Sequence, residues 1–157
     1  MPDQPQNITA FNQIAAVLFA ELYESFPNPK QLDSGALGVN ASQTDAEYEQ
    51  AFDYCGTAIH VVTWLSEEGF LRYGSLAYGG TFMGVRLTMK GLSVLGQVPA
   101  TVKPGEPSES IAAKLKKAVS KGAEAAASDS IKSLLGQVFE LALRYGNPIS
   151  NSGVLSA

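Results

Sequence analysis

Apolar residues recur at helical spacing from the start of the chain. Ile8, Phe11, Ala15, Leu18, Leu22 and Phe26 lie three or four residues apart, which predicts a helix over 8–26 with one buried stripe. Pro27 and Pro29 end it, because proline cannot continue the hydrogen-bond ladder. The segment "KQLDSGALGVNASQTD" carries glycines at 35 and 38 and reads as a loop, with at most a helical turn near Lys30 to Leu32. Thr44 or Asp45 then caps a long helix that runs to about Glu68, with Glu47 and Glu49 near its positive end. Tyr48, Ala51, Phe52, Cys55, Ile59 and Val62 mark an ordinary core face on it. Tyr54, Thr57, Val61 and Trp64 mark an opposite one. A helix apolar on two sides needs two covers. One is the domain core; the other is a partner subunit, a different protein or the C-terminal segment.

Gly69 stops the long helix. "FLRYGSL" and "GVRLTM" read as strands pairing antiparallel over 70–76 and 84–89, around a turn that Gly79 and Gly80 permit. Thr88 caps the next helix, "KGLSVLGQV", which ends at Pro99. Residues 99–109 hold three prolines and a glycine and form a linker. Residues 110–146 are helical, started by Ser108 or Ser110 and closed by Gly146, with a candidate break at 128–130. Residues 147–157 make a tail without helical pattern.

The order helix, turn, long helix ending "WLSEEGFLRY", two strands, then "LTMKGLSVL" resembles the winged helix-turn-helix domain. Leu87, Thr88, Lys90, Gly91 and Leu95 are similar to the second wing strand and last helix of MarR-like and PadR-like regulators. The resemblance covers residues 8–98. With its Ala/Gly-rich helical tail, the chain also resembles small uncharacterised bacterial proteins. The expected fold is therefore mainly α with a small antiparallel β-wing, followed by a C-terminal helix or helical hairpin. The resemblance implies a cytoplasmic, bacterial protein and a DNA-binding regulator, in which the long helix enters the major groove and the wing lies along the minor groove.

Charge argues against that last implication. Residues 1–103 carry five cations and ten carboxylates, net -5; residues 104–157 carry six and five, net +1; together they give the chain's -4. The front of the long helix, "DAEYEQAFDY", has four carboxylates and no lysine or arginine, and DNA affinity rests largely on cations meeting phosphates. Only the wing is basic. Arg72, Arg86 and Lys90 are the candidate nucleic-acid contacts, against the plainer reading of solvated strand charges.

Catalytic chemistry is not visible. Cys55 and His60 are the single cysteine and histidine. Five residues apart on a helix, they diverge by about 140° and cannot pair as nucleophile and base. Zinc needs more Cys or His than this, and "YGGTFMG" matches no phosphate-loop pattern. The sequence thus predicts no enzyme, no catalytic residue, no metal and no cofactor. One cysteine also excludes an internal disulfide and fits a reducing compartment.

The C-terminal segment carries a greasy stripe of Ile131, Leu134, Leu135, Val138, Leu141, Ala142 and Tyr145, and a lysine cluster at 114–121. Such a helix is not stable alone. It packs on its own domain over Trp64, joins a second copy, or lies on a membrane surface; the lysine-rich half has too few bulky apolar residues for a membrane. The functional expectation is a non-enzymatic interaction or assembly module. It forms a homo-oligomer, a dimer by default, through Tyr54, Val61, Trp64, Ile131, Leu134, Leu135, Val138 and Leu141, with a protein partner as a further reading.

Overall fold

A computed structural model describes residues 4–42, 48–99, 104–105, 108–121 and 125–146, the side chains of 48–51, 125, 126, 145 and 146 excepted. Within them the chain forms α1 (Gln6–Ser25), β1 (Lys30–Asp33), α2 (Ser34–Ser42), α3 (Tyr48–Glu67), β2 (Leu71–Arg72), β3 (Ser75–Ala77), β4 (Thr81–Leu87), α4 (Met89–Leu95), α5 (Ile111–Ser120) and α6 (Ala125–Gly146). The protein is mainly helical with a small antiparallel sheet. The expected caps Thr44 and Asp45 and the tail 147–157 lie outside the described residues.

α1 is more deeply placed than its stripe implies. Every residue from Asn12 to Ala20 is buried, because α2, α3, α5 and α6 all pack against α1. Ala15, Ala16 and Ala20 let these neighbours approach closely.

The segment 30–42, expected to be a loop, is instead β1 and α2. Leu32 points inward from β1, and the strand pairs antiparallel with β4. Leu37, Gly38 and Ala41 face inward from α2. Gly38 sits against the backbone of α3: a Cβ there would lie 2.5 Å from Cys55 Cα. The glycine that reads as a helix breaker is what lets two helices touch.

The antiparallel hairpin forms as expected, with its first strand split into β2 and β3 and its second beginning earlier, at Thr81. β2 and β3 both pair antiparallel with β4, and the turn is Tyr78-Gly79-Gly80 with both glycines at positive φ. β4 buries Phe82, Val85 and Leu87, a spacing that strict alternation forbids. Gly84, at φ +69°, resets the alternation as a bulge, and the register against β1 shifts at the same place.

The C-terminal helices fold back on the rest of the chain. Gln97 O accepts a hydrogen bond from Ile111 N at 2.8 Å, so the two ends of the proline-rich linker meet. Ser110 caps α5 by accepting from Ala113 N. The interruption between helices falls after Ser120, ahead of the expected 128–130. Ile111 and Leu115 of α5 and Ile131, Leu135 and Val138 of α6 join the same hydrophobic core as α1 and the sheet.

Candidate interaction surface

The pattern "LTMKG" builds a clasp at the base of the hairpin. Thr88 ends β4 and caps α4, its hydroxyl accepting from Gly91 N at 3.1 Å and donating to Gly69 O. Thr88 N donates to Phe70 O at 3.1 Å. Gly91 leaves room for that strand, since a Cβ would stand 2.1 Å from Phe70 O. Lys90 Nζ donates to Glu68 O at 2.7 Å and lies 4.9 Å from the Phe70 ring centroid. Lys90, a candidate nucleic-acid contact, is therefore engaged within the chain, tying the end of α3 to the start of α4. Lys90→Met is expected to lower stability by about 1 kcal/mol, the scale of one net hydrogen bond, read as a shifted urea midpoint with an unchanged slope.

Arg72 and Arg86 remain on the surface. They are direct cross-strand partners between β2 and β4, both exposed. Directly opposed like charges oppose strand pairing, and no carboxylate meets either among the described residues. Further along the hairpin Leu76 (44% exposed), Met83 and a fully exposed Tyr78 stand in solvent.

α3 distributes its faces differently from the expectation. Its buried residues are Ala58, Val61, Val62 and Leu65, while Phe52, placed on the core face by spacing, is 68% exposed. The physical reason is that α1 and α2, which pack on α3, cover the sector of Ala58, Val62 and Leu65 that lies between the two predicted stripes. Cys55 turns toward α2, where its thiol donates to Gly35 O at 3.2 Å, and His60 is exposed. Tyr54 is half-buried, and burial raises its phenol above the ordinary 10.0. Gly56 lies exposed in the middle of the helix, and a Cβ there would meet nothing within 4 Å among the described residues.

The eight expected interface residues divide. Val61, Ile131, Leu134, Leu135 and Val138 are buried by the chain's own core; Tyr54 and Leu141 pack partly against it. These seven find cover without a second subunit. Phe139 of α6 reaches over Trp64 with centroids 6.1 Å apart and also meets Phe11 and Phe70. Trp64, edge-on to Phe11 at 5.4 Å, keeps 44% of its surface exposed.

Two exposed glycines offer a direct stability check. A Cβ added at Gly136 of α6, as at Gly56, would meet nothing within 4 Å among the described residues. Each glycine-to-alanine change is expected to stabilise the fold by up to about 1 kcal/mol from helix propensity, measured by thermal melting at low protein concentration.

Sequence spacing did not single out Phe52, Leu76, Tyr78 or Met83 as a surface group. The only signal was their place around a glycine turn and on an acidic helix. No helix among the described residues is long and apolar enough to cross a membrane. The chain matches no protein-family model, no curated protein and no solved structure.

Proposed function

We propose that this chain is a non-enzymatic winged-helix module of the cytoplasm that works by binding protein, with self-assembly as its basic mode. The order α1, β1, α2, α3 and hairpin, with β1 paired to the returning strand β4, supports the winged-helix reading. The observation that carries the interaction reading is that Phe52 on α3 and Leu76, Tyr78 and Met83 on the hairpin stay exposed, on a chain whose core already closes without them. The single cysteine has its thiol on a backbone carbonyl and faces away from the single histidine, which supports a non-enzymatic role. Light scattering of the full chain from low to high micromolar concentration tests the reading. A mass above the 16.6 kDa of one chain is expected, and a single-chain mass throughout contradicts self-assembly.

A second reading, a DNA-binding regulator, is favoured by one observation: Arg72 and Arg86 lie side by side and exposed on the hairpin. Against it, α3 contains no lysine or arginine. Fluorescence anisotropy with a random duplex at low salt separates the two. Weak binding that Arg72→Ala/Arg86→Ala leaves unchanged fits the interaction module. Micromolar binding that falls steeply with salt and vanishes in the double variant establishes the second reading.

A further inference from the structure

We infer that the outward face of α6 is a two-fold interface for a second copy of this chain, the two α6 helices crossing antiparallel at Gly136. This rests on the assembly reading, and it adds α6 to the exposed residues of α3 and the hairpin as a place where copies meet.

One helix carries the whole face, so spacing and exposure settle its make-up. At about 100° per residue, Asp129, Lys132, Gly136, Glu140 and Leu143 lie within about 40° of one line along α6, and Arg144 flanks it at about 80°. All six are exposed, Leu143 by 72%. The buried residues Ile131, Leu135 and Val138 lie roughly 100° or more from that line, on the core side.

Charge selects the occupant. Lys132 is four residues before Gly136 and Glu140 is four after it; Asp129 is seven before and Arg144 eight after. The two halves of the face thus carry opposite charges at matching distances from the glycine. A two-fold axis through Gly136 with the helices antiparallel sets each position opposite the one equally far on the other side. Lys132 then meets Glu140 of the second copy, Asp129 comes beside Arg144 of the second copy, and symmetry repeats both pairs, as an isologous contact requires. A parallel pair sets lysine on lysine and glutamate on glutamate. Within the chain Glu140 pairs with Arg144 at 3.3 Å, and neither Lys132 nor Asp129 has an ion-pair partner among the described residues. The second copy supplies both, and it covers Leu143.

Gly136 adds an independent observation. A glycine inside a helix is less stable than alanine, and a Cβ here would meet nothing within 4 Å among the described residues. Gly38, by contrast, is explained by the α3 backbone against it. Gly136 stands at the middle of a helix running Ala125–Gly146, so an antiparallel pair centred on it overlaps along both lengths. Its bare backbone admits the close approach of a second helix where the axis passes.

Sedimentation equilibrium and disulfide trapping on the full chain test this. Lys132→Glu and Glu140→Lys are each expected to weaken self-association about tenfold or more, since each sets like charges together at both symmetry-related contacts. Their equimolar mixture is expected to regain it, because the mixed pair has opposite charges at both. In a Cys55→Ser background, Gly136→Cys is expected to give a disulfide-linked dimer under mild oxidation, and Leu143→Cys is not. A disulfide needs Cα atoms within about 7 Å, and the antiparallel crossing holds the two copies of position 143 about 20 Å apart along the helices. Circular dichroism melts of each variant identify any loss that comes from unfolding. Assembly indifferent to the charge reversals, with no linked dimer from Gly136→Cys, overturns this interface and leaves self-assembly standing elsewhere. Linkage at both positions overturns the antiparallel crossing. A chain that is monomeric at every concentration overturns this interface and the assembly reading together.

Discussion

Leu135→Ala is expected to lower the stability of the whole chain by about 2–5 kcal/mol, the range for truncating a buried leucine, in one cooperative transition. Leu135 is 1% exposed and belongs to the core that holds α1, the sheet and α5 together. The hydrogen bond from Ile111 N to Gln97 O closes the linker, and Gln13 Nε2 donates to Ser128 Oγ at 3.1 Å across the α1–α6 seam. A C-terminal segment so placed is part of the fold's cooperative unit, not an arm held by another subunit. Chemical denaturation followed by both Trp64 fluorescence and circular dichroism checks it. Coincident curves with a lowered midpoint are expected. A loss below 1 kcal/mol, or separate unfolding of the C-terminal helices, contradicts the cis packing.

Gly38→Ala is expected to cost at least the roughly 1–3 kcal/mol of overpacking. The added Cβ would stand 2.5 Å from both Cα and N of Cys55 and 2.7 Å from the carbonyl carbon of Tyr54. All three are backbone atoms, so no side chain can swing aside and α2 must move from α3. Gly35→Ala is the control. Its nearest neighbour is the Asp33 carboxylate at 3.6 Å, an ordinary contact, and the change is expected to be neutral or mildly stabilising. Because Gly80 of the hairpin turn sits against Ser34 at the start of α2, displacement of α2 also tilts the hairpin. Gly38→Ala is therefore expected to weaken self-association as well as folding.

The sequence made some elements plain and hid others for identifiable reasons. α1 and α3 are long enough for their periodicity to show, and the Gly79-Gly80 turn with "LTMKG" fixes hairpin and α4 because each residue there has a local task. Thr88 caps, Gly91 makes room and Lys90 reaches a carbonyl. β1 and α2 were hidden because four residues show no alternation, and because Gly35 and Gly38 carry the signature of a loop. Gly38 owes its presence to α3, a partner across space that one-dimensional spacing does not reveal. The two apolar faces of α3 and the stripe on α6 were both visible as surfaces needing cover. The α6 stripe is covered instead by α1, α4 and α5, and α6 meets Trp64 through Phe139, which also bridges Phe11 and Phe70 and stands off the main stripe. The candidate surface was the least legible part. Phe52 falls on the core stripe by angle alone, and only the packing of α1 and α2 into the neighbouring sector leaves it in solvent.

Hydrogen exchange on the full chain at low and high concentration reports where copies meet as well as whether they do. Protection that rises with concentration is predicted around the exposed apolar residues, in two stretches, about 52–60 on α3 and 75–84 on the hairpin. Concentration-dependent protection confined to α6, or none anywhere, would contradict it.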